Sequence, residues 1–194
     1  LSRKVQLNTS ISSIVIGTCG KGGEWAMAFA LLTLMTQSRM ELSTAPLYAF
    51  NAAISACEKA LEWRHALQMF NTMRNHAMEV DTITYNAVIS SCDKGGQWSQ
   101  ALDIFDAMPA QKVDPNTVTY SAAISSCRHG GRWAQALSLL SAMGKHAVEL
   151  NTIACSAAIS ACETHGKWQH ALEILLGMDR QHVDVDSITC NAAI

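Results

Sequence analysis

Residues 82–116 read TITYNAVISSCDKGGQWSQALDIFDAMPAQKVDPN, and this stretch decides the fold. Tyr85, Val88, Ile89 and Cys92 fall at i, i+3, i+4 and i+7, a single apolar stripe at helical period. Gly95 and Gly96 interrupt the pattern and supply the left-handed backbone that stops a helix and turns the chain. A second stripe follows in Trp98, Ala101, Leu102, Phe105 and Met108, leaving Gln97, Gln100, Asp103 and Asp106 for water. Pro109 cannot continue that helix, because its ring removes the amide hydrogen. The stretch is therefore two antiparallel helices joined by a tight turn. Neither helix can bury its stripe alone.

The pattern recurs. Trp25, Trp63, Trp98, Trp133 and Trp168 are separated by 38, 35, 35 and 35 residues. Cys19, Cys57, Cys92, Cys127 and Cys162 keep the same spacing, as do Met35, Met73, Met108, Met143 and Met178. Three residue types locked to one period define an all-α array of helix-turn-helix repeats, an α-solenoid in which each repeat packs on its neighbours. The expected boundaries are 9–46, with a three-residue insertion within SRMELSTAP, then 47–81, 82–116, 117–151 and 152–186. Residues 1–8 match the tail of a repeat, and residues 187–194 start another, so the chain reads as one solenoid domain cut from a longer array. Pairs such as Ala52-Ala53, Ala122-Ala123 and Ala157-Ala158 precede in-register isoleucines. Small side chains there let first helices approach, and isoleucine and tryptophan are expected to fill the groove between helices. Repeat 47–81 carries Ala60-Leu61 where glycine serves the turn elsewhere, so its turn should cost more or bend differently.

Composition excludes several classes. Apolar residues make up 49% of the 194 and charged residues 15%, ample for a continuous core, and no run approaches a membrane span. A net charge of −2 and a pI near 6.4 give no strong overall attraction to polyanions. Five of the seven cysteines share one apolar register, and Cys155 and Cys190 stand where Tyr85 and Tyr120 stand, so they read as small buried thiols. No Cys-x-x-Cys occurs, and the two ligand types at Cys162 and His165 are too few for a metal site. The glycines of GTCGKGG at 17–23 lack phosphate-loop spacing. No catalytic constellation is present, and no cofactor or small-molecule substrate is implied.

The period of 35, the Thr84-Tyr85-Asn86 opening, Ala101-Leu102 in the second helix, the closing Met108 and the terminal Asp114-Pro115-Asn116 resemble the pentatricopeptide repeat family. Asn51, Ala66-Leu67, Met73 and Asp81 repeat the match, and the resemblance spans essentially the whole chain. It implies a right-handed superhelix that binds single-stranded RNA, one nucleotide per repeat, on its concave face. It also implies action in RNA processing, editing, stability or translation in a mitochondrion or chloroplast. The deaminase signature that ends some members is absent.

By this resemblance, the base readers are the residue after the tyrosine of the first helix and the last residue of the repeat. The pairs are Asn51 with Asp81, Asn86 with Asn116, Ser121 with Asn151, and Ser156 with Asp186. Ser13 and Asn191 occupy the same reader position in the flanking repeats, with Ser43 the best-aligned partner of Ser13. The family's preferences imply 5′-UYAG-3′ for the four complete pairs. Tyr48, Ile83, Val118, Ile153 and Ile188, second in their repeats, match the apolar residues that sandwich the bases. Lys21, Lys59 and Lys94 match the phosphate-contacting place, which His129 and Thr164 occupy later. Asp81, Asn116, Asn151 and Asp186 are also good helix N-caps, a role that can coexist with reading. The second class is a tetratricopeptide-like scaffold for a protein partner, which the low positive charge favours.

Overall fold

The computed structural model describes residues 9–37, 47–180, 183–185 and 189. Among them ten α-helices run in consecutive pairs: α1 (Thr9–Gly22) with α2 (Trp25–Gln37), α3 (Leu47–Lys59) with α4 (Trp63–Asn75), α5 (Thr82–Lys94) with α6 (Trp98–Ala107), α7 (Thr117–His129) with α8 (Trp133–Lys145), and α9 (Thr152–Glu163) with α10 (Trp168–Arg180). No strand occurs among the described residues. This is an α-solenoid of helical hairpins. The chain forms two compact units, Leu1–Ser91 and Cys92–Ile194, divided within α5.

In the first unit α1 packs on α2 and α3, and α3 on α4. In the second, α7 packs on α6, α8 and α9, and α9 on α8 and α10. Within each unit, neighbouring hairpins thus bury their stripes against one another. Ala53, Ile54 and Cys57 of α3 are fully buried, as are Ala123, Ile124 and Cys127 of α7 and Ala158, Ile159 and Cys162 of α9. Met73, Met108 and Met143 close the stripes of the second helices, also without exposure.

The tryptophans depart from expectation. They stand first in the second helices, but Trp25, Trp63, Trp98 and Trp133 are only half-buried and Trp168 is 59% exposed. Instead of filling the groove, they lie at its rim, where residues of the following repeat cover Trp25, Trp98 and Trp133. Trp25 packs on His65 with ring centroids 4.7 Å apart, Arg132 lies 4.4 Å over Trp98, and Lys167 lies 5.1 Å over Trp133. Gly130 lies flat against the Trp98 ring, and any Cβ there would run into it. The groove itself is filled by methionine, isoleucine and, at two joints, an aromatic pair.

Phe70 and Tyr85 meet edge to face at 5.2 Å, and Phe105 and Tyr120 at 5.0 Å. The next joint replaces both rings by Leu140 and Cys155, and a pocket of about 250 Å³ opens there, lined also by Leu137, Ile174 and Val183.

The turn of repeat 47–81 bends as its neighbours do. Leu61 takes φ +62°, against +68° at Gly96 and +65° at Gly131. The same backbone bonds close each turn, from Glu62 N–H to Cys57 O at 2.9 Å and from Gln97 N–H to Cys92 O at 2.8 Å. The expectation of a different bend is thereby corrected: hydrogen-bond closure imposes the left-handed residue whatever its side chain. Only the cost differs, at ~1–2 kcal/mol for a residue with a Cβ. Because Leu61 is 60% exposed, it returns little by packing. Leu61→Gly is therefore expected to stabilise the chain by about 0.5–1 kcal/mol, after the extra freedom of glycine in the unfolded chain, read as a higher urea midpoint at unchanged slope.

Pro109 ends α6 at Ala107, and a 3-10 turn at Pro109–Gln111 carries the chain onward. Register survives, because Val113 N–H still bonds Met108 O at 3.1 Å, as Met78 does Met73 and Val148 does Met143.

Candidate nucleic-acid interface

In α3, α5, α7 and α9 the second residue of the first helix is a large apolar side chain that stays exposed. Tyr48 is 50% exposed and Ile83 66%, in the first unit; Val118 is 58% exposed and Ile153 66%, in the second. Large apolar side chains exposed at one register of four successive repeats call for an apolar partner, while Ser10 breaks the row in the repeat before them. Tyr48 additionally lies against Gly17 of α1, where a Cβ would meet its ring and hydroxyl. Ile188 falls outside the described residues.

The first member of each reader pair sits three positions further along the same helix, and the second closes the repeat. Asn51 of α3 donates through Nδ2 to Asp81 Oδ1 at 3.4 Å. Ser121 of α7 donates to Asn151 Oδ1 at 3.1 Å and to its own helix carbonyl at Thr117 at 2.7 Å, sharing its one hydrogen. Residues 30 apart in sequence are thus brought together twice, once in each unit. Asn86 is half-buried on α5, and Asn116 stands before α7. Ser156 meets the hydroxyl of Thr189. Asp186 and Asn191 fall outside the described residues; Ser13 is in α1, but its side chain is not described.

The closing residues of the repeats are also N-caps. Asp81 Oδ1 accepts from Thr84 N–H at 2.9 Å, Asn116 Oδ1 from Thr119 N–H at 3.0 Å, and Asn151 Oδ1 from Ala154 N–H at 2.9 Å. Asn116 forms a full capping box, its own N–H bonding Thr119 Oγ1 at 3.1 Å. One oxygen of each side chain is spent on the helix. For Asp81 these bonds leave out Oδ2, a pure acceptor; for Asn151 they leave out Nδ2, a pure donor. Capping therefore fixes which atom each residue can offer to a ligand.

Lys59 and Lys94 are exposed at the C-terminal ends of α3 and α5, where a cation also favours the helix dipole. His129 takes this place in α7, with Nε2 3.6 Å from Asp93 Oδ1, and burial pushes the Asp93 carboxyl above the usual carboxylate range. Thr164 takes it in α9, its hydroxyl donating to Ala161 O at 3.0 Å. Lys21 lies in α1, but its side chain is not described. Among the described residues no cluster of three His, Cys, Asp or Glu could hold a metal, and no helix is long and apolar enough to cross a membrane.

Residue reading overlooked the third position of the repeats. Thr84 is fully buried and its hydroxyl bonds both Asn51 and Asp81. The signal was present: Ala49, Thr84, Thr119, Ala154 and Thr189 alternate in type beside an otherwise steady pattern.

Hairpins of this length, stacked with an exposed apolar register and inter-repeat polar pairs, define a helical-repeat protein. The PPR repeat family matches residues 47–94 and 80–129, and the PPR repeat matches 118–148 and 153–183. The chain belongs to the pentatricopeptide repeat family. No curated protein sequence matches it. Among solved structures it is similar to the maize pentatricopeptide repeat protein PPR10 in complex with an 18-nucleotide psaJ RNA element, at 22% identity and TM-score 0.75, over 93% of this chain and 26% of that one. It is also similar to the PPR domain of Arabidopsis thaliana protein-only RNase P 1 in complex with tRNA, at 15% identity and TM-score 0.78, over 94% of each chain. Nuclear proteinaceous RNase P 2 of A. thaliana matches at 13% identity and TM-score 0.80, over 94% of this chain and 40% of that one. This chain spans about a quarter of PPR10.

Proposed function

We propose that this chain is a non-catalytic, sequence-specific binder of single-stranded RNA that takes one nucleotide per repeat. The carrying observation is that, in both units, an exposed apolar residue and the first member of a hydrogen-bonded polar pair stand on the same helix. Exposed Tyr48, Ile83, Val118 and Ile153 offer faces for unstacked bases, and the pairs offer directional groups to a Watson–Crick edge. Two relatives of the same fold are complexes with RNA, which supports the reading.

Atom by atom, the capping bonds explain the choice of base. Asp81 offers an acceptor, which suits the imino N–H of U or G. Asn151 offers a donor, which suits the bare imino nitrogen of A or C. Asn51 is long enough to fill the space that a purine would need, whereas Ser121, only 6% exposed, acts by the room it leaves. The expected core is 5′-UYAG-3′, running parallel to the chain: U at Asn51/Asp81, a pyrimidine at Asn86/Asn116, A at Ser121/Asn151 and G at Ser156/Asp186. Lys59 and Lys94, with Lys21, contact phosphates, and each contact steepens the salt dependence by nearly one unit. We place this activity in organellar RNA processing, editing, stability or translation, by the family's habit.

Asn51→Ser is expected to move the preference at the first base from U to G by about 1–3 kcal/mol, the worth of one good base contact. Titration of the chain with UYAG- and GYAG-containing single strands at low salt reads this directly. Equal binding of both strands by both proteins would refute the reader assignment. If no RNA binds, a protein partner becomes the reading.

A further inference from the structure

The base-reading site of a pentatricopeptide repeat is described by two residues; here the geometry points to a third. We propose that Thr84 is a positioning residue for the Asn51/Asp81 pair, and that its buried hydroxyl sharpens the discrimination between U and C that Asp81 begins. The proposal rests on the base-reading assignment above and deepens it.

Thr84 is fully buried, so it cannot touch a base and can act only through its neighbours. It holds both readers at once. Its N–H bonds Asp81 Oδ1 at 2.9 Å, and its hydroxyl lies 2.7 Å from that oxygen while also donating to Asn51 Oδ1. A hydroxyl has one hydrogen, and the acceptor that needs it is the Asn51 carbonyl, since Asp81 Oδ1 already receives the Thr84 N–H and the Asn51 amide. With its oxygen held inward, the Asn51 amide cannot flip, and Nδ2 is its only atom left for a base.

That orientation has a chemical consequence. The Watson–Crick edge of U presents acceptor, donor, acceptor. An Asn51 N–H answers its O4, and the free Asp81 oxygen answers its N3–H. C presents a donor, N4–H, where U has O4, and would need the amide turned to offer its oxygen. The Thr84 hydroxyl blocks that turn.

The third register is not uniform. Ala154 stands there behind Ser121/Asn151, and only its N–H reaches Asn151; Ser121 then sends its own hydroxyl to Asn151. Thr189 stands there behind Ser156, and the two hydroxyls meet. Exchange of threonine for alanine is thus exchange of a reader pair held by a third hydroxyl for one held without it.

The test is Thr84→Ala. Alanine is native at this register in Ala49 and Ala154, and both are fully buried in a helix, so the fold accepts it. Dissociation constants are measured for the full chain with single-stranded RNAs that differ only by U, C or G at the first reading base. The wild type is expected to prefer U over both. Thr84→Ala is expected to reduce the U-over-C ratio about tenfold while leaving rejection of G intact, and Thr84→Ser is expected to restore it. A general loss of stability would weaken U and C alike and leave their ratio unchanged. If the wild type discriminates but Thr84→Ala keeps its U-over-C ratio, the positioning role is wrong and the reader pair stands. If the wild type shows no base preference, both fall together.

Discussion

Phe70→Ala is expected to destabilise the chain by about 3–5 kcal/mol, seen as a large drop in the urea midpoint. Phe70 is 2% exposed and meets Tyr85, 1% exposed, edge to face at 5.2 Å. Truncation removes the ring's burial, its contact with Tyr85 and its support for the α4–α5 joint. The surrounding helices are held by their own turn bonds and cannot collapse fully into the space. In an array stabilised by neighbours, losing one joint can unfold the repeats on either side of it. Leu140→Ala is the matched control. Leu140 occupies the same register but already borders the pocket of about 250 Å³, so fewer contacts are lost. A cost of no more than about 2 kcal/mol is expected there. Equal costs at the two sites would mean that the aromatic pair adds nothing beyond an aliphatic side chain.

The second large effect is alkaline. Burial pushes the Cys57 and Cys92 thiols up to about 12, and Cys127 and Cys155 to about 11, from an ordinary value of 9.0. The thiolate is disfavoured in the folded state, so folding keeps a proton that the unfolded chain gives up. This contribution is present in full below about pH 9 and is lost as pH rises toward 11–12. Each thiol removes up to ~1.4 kcal/mol per pH unit across that window. Four acting together take several kcal/mol by pH 11, a large share of a typical domain's stability. Burial raises Tyr85 and Tyr120 in the same direction from 10.0. Urea unfolding at a series of pH values should therefore be flat up to pH 8.5 and fall steeply above 9. The Cys57→Ala, Cys92→Ala double variant should fall less steeply, since Cys127, Cys155 and Cys162 still titrate, whatever its stability at neutral pH. An unchanged slope would mean that the thiols ionise as freely in the folded chain as in the unfolded one.

The hairpins were legible because two periods are written in the chain at once. The 3.6-residue stripe names each helix, and the 35-residue recurrence of Cys, Trp and Met names the repeat. The buried alanine–isoleucine–cysteine register followed directly, since only one face of each first helix is continuously apolar. Tryptophan was misjudged because size and hydrophobicity argue for the core, whereas its place at the first residue of the second helix sends the ring over the turn. There Arg132 or Lys167 from the next repeat can cover it. Leu61 was half legible. The absence of glycine announced a cost, but only the bond from Glu62 N–H to Cys57 O shows that the backbone bends the same way regardless.

Sequence alone determined the α-solenoid, its repeat length, the family, and which positions vary inside a steady frame. These follow from local helical periodicity and from repetition, which need no knowledge of what lies opposite. Tertiary structure alone decided how the varying positions are wired. It put Asn51 against Asp81 and Ser121 against Asn151, each 30 residues apart, and spent one oxygen of each closing residue on a helix cap. It also buried Thr84 behind the first pair. Hydrogen bonds between repeats depend on the distance and angle at which adjacent first helices pack. That geometry is set by side-chain volumes in the core and leaves no period in the residues that use it.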